Sequence, residues 1–269
     1  MNTALTSALS LRGNSSSRSI PVFGLDWCFF LDIDGTLVDF AERPDKVHID
    51  AALRTILRQL TEVSGGAVAL ISGRQIADVD RLFSPLRLPV AGQHGMERRD
   101  STGNVYLHHP QVERLQDAAA RLEKLVVQYP ELVFENKGAT LALHYRRVPR
   151  LAPYADQIMR ELLSGLGGEF ELLAGKMVFE IKPGGRDKGT AIAEFVKEKP
   201  FQGRVPVFIG DDSTDEYGFT LVNGLRGHAI KVGTGASVAR WRLVDAEAVR
   251  ALLMAYIEHY LRAGISRSI

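Results

Sequence analysis

Two carboxylates, Asp32 and Asp34, stand two residues apart in Phe29–Asp39, Phe-Phe-Leu-Asp-Ile-Asp-Gly-Thr-Leu-Val-Asp. In an extended chain such residues point the same way. Like charges held this close are costly unless a cation lies between them or one carries a proton. Alone, Asp34-Gly35 also reads as an ordinary acidic turn. Three further polar clusters follow: Ser72-Gly73-Arg74, Lys188, and Asp211-Asp212-Ser213-Thr214-Asp215. Oxygen ligands from two loops suit Mg²⁺, which prefers few carboxylates, several waters and a phosphate oxygen. Ser72 offers a hydroxyl and backbone donors at a helix start, a seat for an anion. Lys188 supplies a point positive charge. A carboxylate nucleophile, a metal, a lysine and a hydroxyl are the parts needed to attack a phosphate in line.

The elements that must position these groups alternate between strand and helix. Trp27–Leu31 is an apolar run without polar alternation, which predicts a strand buried on both faces of a parallel sheet. Leu53, Ile56, Leu57 and Leu60 fall at helical spacing within 49–63, and Gly65-Gly66 ends that helix. Strands are expected at 67–71, 88–91, 205–209 and 228–232, and helices at about 74–83, 187–197 and 245–261. Asp32, Ser72 and Asp211 then fall at strand ends on one sheet edge, where open α/β sheets bind ligands. Gly92–Asn104 reads as a hairpin leaving the sheet. Beyond it the single alternation breaks: helices at 112–127 and 154–163, strand pairs at 132–135 with 140–145 and at 169–173 with 177–181. These predict an inserted α+β domain over 103–182, with 21–102 and 183–269 forming a Rossmann-like parallel-sheet core.

The chain has 269 residues, 45% hydrophobic and 24% charged, a profile of a globular protein with a real core. Lys+Arg 33 against Asp+Glu 32 argues against a nucleic-acid or membrane-surface binder. A single cysteine, Cys28, makes no internal disulfide and points to the cytoplasm. No stretch reaches the apolar length that spans a bilayer. Residues 1–20 are rich in Ser and read as a flexible tail, a transit peptide being the lesser alternative. The absence of a long heptad gives a monomer as the expectation.

Asp-Ile-Asp-Gly-Thr, Ile-Ser-Gly-Arg, Arg-Asp-Lys-Gly and Gly-Asp-Asp-Ser-Thr-Asp resemble, in order, the four motifs of the haloacid dehalogenase-like hydrolases. The insertion falls where the type 2 cap of that superfamily sits. Ala-Gly-Gln-His-Gly-Met-Glu at 91–97, Glu-Asn-Lys-Gly at 135–138, Leu-Ala-Leu-His-Tyr-Arg at 141–146, Gly-Lys-Met-Val-Phe-Glu-Ile-Lys-Pro at 175–183 and Ile-Lys-Val-Gly-Thr-Gly at 230–235 are similar to the trehalose-6-phosphate phosphatases. The resemblance runs from Phe29 to Leu243. It implies a Mg²⁺-dependent phosphatase of a small sugar phosphate, with Asp32 as nucleophile and Asp34 as acid and base. It further implies Ser72 and Lys188 on the phosphoryl oxygens, and the metal on Asp32, Asp211 and the Asp34 carbonyl, with Asp212 and Asp215 supporting. Glu135, Lys137 and Glu180 become sugar readers; taken singly, without the resemblance, each reads first as a solvated strand or turn charge. Gly73 and Arg74 join the substrate contacts, Arg74 otherwise opening its helix in an ion pair. Gln93 and His94 sit where core meets cap, as contacts to the sugar or the hinge, and a structural histidine is an equal reading of His94. His108-His109 reads as exposed loop. Two alternatives stand beside this: a phosphatase of another sugar phosphate such as sucrose phosphate, and a non-catalytic module of the same fold.

Overall fold

A computed structural model describes residues 20–39, 47–108 and 112–266. The tail expected over 1–20 lies, except for Ile20, outside the described residues, as does His109. The strands are β1 (Trp27–Leu31), β2 (Val68–Ile71), β3 (Val90–Gly92), β4 (Glu97–Arg99), β5 (Val105–Leu107), β6 (Val133–Asn136), β7 (Leu141–His144), β8 (Phe170–Gly175), β9 (Val178–Pro183), β10 (Val205–Gly210), β11 (His228–Val232) and β12 (Trp241–Leu243). The α-helices are α1 (Ala51–Val63), α2 (Ile76–Phe83), α3 (Leu115–Gln128), α4 (Ala152–Leu166), α5 (Lys188–Phe195), α6 (Glu216–Gly224) and α7 (Ala246–Ser266).

β1 is buried at all five positions and lies mid-sheet, parallel to β2 and β10. Its alternation sends Trp27, Phe29 and Leu31 into one apolar cluster, shared with α1, α2 and α7. Cys28 and Phe30 enter the opposite cluster, shared with α5 and α6. A strand covered by helices on both sides has no polar face to show, which is why its sequence carries no alternation. The sheet runs β12-β11-β10-β1-β2-β3-β4-β5, parallel from β12 to β3 and antiparallel through β4 and β5.

The hairpin expected to leave the sheet therefore extends it, and the start of the insertion expected at 103 falls inside that hairpin. β4 reads Glu-Arg-Arg, yet Arg98 and Arg99 are buried. Arg98 meets Glu198 through two bonds of 2.8 Å and Arg99 meets Asp80 through two of 2.7 Å. Carboxylates 19 and 100 residues away neutralise these guanidinium groups, so the local charged run gave no sign that the hairpin stays in the sheet. β12 and α6 also went unread in the sequence. His108, expected to be exposed, is half-buried and acts electrostatically on Glu194.

A second, antiparallel sheet, β6-β7-β9-β8, carries α3 and α4 on one face. Phe134, Leu141, Leu143, Phe179 and Ile181 point into that helical layer. The alternate positions Glu135, His144, Val178 and Glu180 line a cavity between this sheet and the carboxyl edge of the first.

Candidate active site

Asp32 follows β1 directly, its amide donating to the Ile209 carbonyl at 3.0 Å, so the chain leaves the sheet tethered to β10. Lys188 opens α5, whose first turn is fixed by a capping box: Asp187 accepts from the Thr190 amide at 2.7 Å while Thr190 Oγ1 accepts from the Asp187 amide at 2.9 Å. That cap presents Lys188 Nζ to Asp32 Oδ1 at 2.8 Å and to Asp215 Oδ1 at 2.6 Å. Asp215, fully buried, also accepts the amides of Asp211 and Asp212 at 2.9 Å each and thereby shapes the loop after β10.

Three buried carboxylates, Asp32, Asp211 and Asp215, bring oxygens within 4.8 Å of one another; Lys188 serves two of them, and the exposed Lys176 lies 3.8 Å from Asp211 Oδ2. Burial, only partly relieved by Lys188, holds the Asp32 carboxyl well above its usual range. Burial and then Asp215 push Asp211 up to about 7. Burial opposes the charge on Lys188, but Asp215 and Asp32 overcome it and raise its pKa. Both carboxylate oxygens of Asp211 are buried without a hydrogen-bond partner. Orphaned oxygens beside two further acids fit a hard divalent cation with oxygen ligands.

Asp34 lies in the turn after β1 and is gripped by Arg74, Nε to Oδ2 at 2.6 Å and Nη2 to Oδ1 at 2.7 Å. Ser72 ends β2, and its hydroxyl accepts the Arg74 amide at 3.1 Å. Asp32, Asp34, Ser72, Gly73, Arg74, His94, Lys188, Asp211 and Asp212 line the cavity from the core, and Glu135, Lys137 and Glu180 from the second sheet. Counting the open solvent at its mouth, the space is about 870 Å³. Asp215 sits beneath it. Gln93, expected among the substrate contacts, does not line it: left-handed Gln93 (φ 47°) and His94 (φ 55°) turn the chain, and Gln93 Nε2 donates to Glu97 Oε1 at 2.9 Å. His94 alone of the pair reaches the cavity, where burial lowers its pKa.

On the second sheet Glu180 is held by Thr140 Oγ1 at 2.5 Å, Lys137 Nζ at 3.1 Å and His94 Nε2 at 3.4 Å. Burial works to raise Glu180, and Lys137, His94 and Thr140 outweigh it and keep it ionised. Glu135 pairs with His144 at 3.0 Å. His144, Arg146, Lys176, Val178 and Thr214 also line the cavity and were not singled out from sequence. The signal for His144 was present: in Leu-Ala-Leu-His the leucines alternate inward, which sends the histidine to the other face.

A sequence model described as trehalose-phosphatase matches residues 30–244. The chain is 43% identical over 225 residues to the trehalose-6-phosphate phosphatase of Escherichia coli (strain K12), covering 83% of this chain and 84% of that one. It is 42% identical over 234 residues to a probable trehalose-phosphate phosphatase of Sinorhizobium fredii, covering 86% and 87%. The C-terminal domain of the C. albicans trehalose-6-phosphate phosphatase superposes with a TM-score of 0.77 at 22% identity, over 87% of this chain and 92% of that one, a likeness of fold.

Proposed function

The chain belongs to the trehalose-phosphatase family, and from that membership we propose that it hydrolyses trehalose 6-phosphate to trehalose and phosphate. The fold is that of the haloacid dehalogenase-like hydrolases. The observation that carries the chemical part of the reading is Asp32, held by Lys188 at 2.8 Å on the cavity edge of β1. One Asp32 oxygen attacks phosphorus while the bond to the sugar oxygen breaks and Asp34, which must first be released from Arg74 and protonated, gives that oxygen a proton. Water then attacks the aspartyl-phosphate, Asp34 taking its proton, and Asp32 is regenerated. Ser72 and Lys188 hold the phosphoryl oxygens, with Gly73 and Arg74 beside them.

Mg²⁺ is the metal that suits this donor set, held by Asp32, Asp211 and the Asp34 carbonyl, with Asp212 and Asp215 supporting. When bound it supplies the charge neutralisation that lets a carboxylate meet a phosphate dianion. Glu135, Lys137 and Glu180 read the sugar through charge-assisted hydrogen bonds, with His94 where the layers meet. In this reading the second sheet with α3 and α4 is an inserted cap, entered after β5 and left at Pro183, on a core formed by the rest. Among the described residues no helix is long and apolar enough to cross a membrane. With the lone buried Cys28, a monomer working in the reducing cytoplasm is the reading we adopt.

The test is phosphate release from trehalose 6-phosphate, sucrose phosphate and glucose 6-phosphate, with Mg²⁺ and with chelator, for the wild type and Asp32→Asn. Preference for trehalose 6-phosphate, lost with chelator and in Asp32→Asn, is the expected result. Equal turnover of all three esters removes the sugar assignment, and no release from any of them removes the enzyme.

A further inference from the structure

The two cap carboxylates are held in different ways. Glu180 is 4% exposed and receives three fixed partners, Thr140, Lys137 and His94. Glu135 is more open, its side chain 28% exposed, and its bond to a side chain of the same sheet is the one with His144, also partly exposed at 20%. The sheet register explains the pair. Glu135 stands opposite Ala142 and His144 opposite Val133, so the two are diagonal neighbours on adjacent strands, a separation long side chains span. Both side chains emerge on the face turned to the cavity, since Leu141 and Leu143 take the helical face.

A glutamate on such a surface has several rotamers to lose when it binds a ligand. An ionised carboxylate offers about four acceptor positions, and Nε2 of His144 takes one of them. With Nε2 carrying the proton, the bond at 3.0 Å selects one orientation of Glu135 and leaves further lone pairs for hydroxyl donors. Burial would raise the Glu135 carboxyl, and its bond to His144, helped by Lys137, holds it below the usual value, so it remains an acceptor.

We propose that His144 is a positioning residue for substrate recognition, holding Glu135 turned toward the sugar. This rests on the reading of Glu135 as a sugar contact, and it assigns His144 a part in specificity and none at phosphorus. The geometry sets the two carboxylates apart: Glu180 stays ordered without His144, whereas Glu135 does not.

The experiment compares kcat/KM for trehalose 6-phosphate with that for p-nitrophenyl phosphate, which carries the phosphate without the disaccharide. For His144→Ala, kcat/KM for the sugar ester falls about tenfold further than for the aryl ester, with the change in KM. His144→Gln, which keeps an N–H donor, recovers most of that loss. In a Glu135→Gln background, His144→Ala adds less than about twofold, because the partner it acts through is already changed. Equal losses on both esters, or losses that multiply in the double variant, overturn the proposal in favour of a role in cap structure. If the wild type hydrolyses the aryl ester but a different sugar phosphate, the substrate assignment falls. The same comparison on that sugar phosphate then decides His144 by itself.

Discussion

Lys188 Nζ lies between Asp32 and Asp215, and the exposed Lys176 stands 3.8 Å from Asp211 Oδ2, so three clustered carboxylates face one buried ammonium and one solvated one. That imbalance is tolerable only if protons or a cation make it good, and it yields a direct expectation. Mg²⁺ at about 100 times its dissociation constant raises unfolding stability by about 2.7 kcal/mol, read as a higher melting temperature. Asp211→Asn abolishes the rise, since Asp211 brings two orphaned oxygens; an equal rise in that variant places the cation elsewhere. If Asp34 is the proton donor proposed above, Asp34→Asn lowers kcat for a sugar phosphate by ~10²–10⁴-fold. The loss is smaller for p-nitrophenyl phosphate, whose leaving group needs no proton; equal losses would give Asp34 another role. The place of Asp32, Ser72, Lys188 and Asp211 on the cavity was legible because each follows an apolar strand or opens a helix, and Asp34 because it stands two residues after Asp32. The depth of Asp215 was not, because what buries it is a lysine 27 residues away. The face of His144 was legible in Leu-Ala-Leu-His, but its pairing with Glu135 was not, because that depends on strand register.

The elements legible from pattern were those with several apolar residues in period. β1 and β11 match their expected bounds, and α1 begins after Asp50, whose carboxylate accepts the Leu53 amide at 2.7 Å. Three-residue strands offer little such period: the β4–β5 hairpin was read as 92–104 and off the sheet, and β12 was missed. The β4–β5 turn is held by Asp100, whose oxygens accept from the Thr102 amide and hydroxyl, the Asn104 amide and side chain, and Tyr106 Oη. Burial would raise Asp100, but these donors lower it to about 2. A carboxyl depressed on folding stabilises the fold above its unfolded value and loses that contribution as pH falls through the folded one. Asp100→Asn therefore costs about 1–3 kcal/mol at pH 7, and the gap from wild type narrows between pH 4 and pH 2 in urea melts. A gap constant with pH would remove the ionised carboxylate from the account. Close approach at the end of β10 is another element-scale constraint. A Cβ on Gly210 would lie 2.3 Å from Asp215 Cγ, so Gly210→Ala costs about 1–3 kcal/mol by overpacking. It also lowers activity, because the residue displaced is the partner of Lys188; full activity with full stability would show the loop yielding elsewhere.

Of the three apolar clusters among the described residues, two lie within the core and the third within the second layer, and none of the three spans both. The layers meet largely through polar contacts at opposite rims of the cavity. At one rim Gln75 Nε2 donates to the Lys137 carbonyl at 2.7 Å, and Lys137 Nζ donates to the Gly73 carbonyl at 2.9 Å. At the other, the Lys176 amide donates to Asp212 Oδ2 at 3.1 Å and Ser213 Oγ to the Ala174 carbonyl at 3.0 Å. Each such bond is worth about 0.5–1.5 kcal/mol net, so the layers part at a cost far below that of unfolding either one. A substrate enclosed between acids of the core and charges of the cap needs that parting to enter and leave. Gln75 and Ser213 each contribute one of these bonds, one to each rim, and neither lines the cavity. Gln75→Ala with Ser213→Ala therefore shifts the molecule toward an open form: KM for the sugar phosphate rises about tenfold, the counterpart of ~1.4 kcal/mol. The radius of gyration from small-angle scattering grows in the same variant and returns on adding product. An unchanged KM with an unchanged radius would mean that the layers are fixed by other contacts, and that substrate reaches Asp32 without the cap moving.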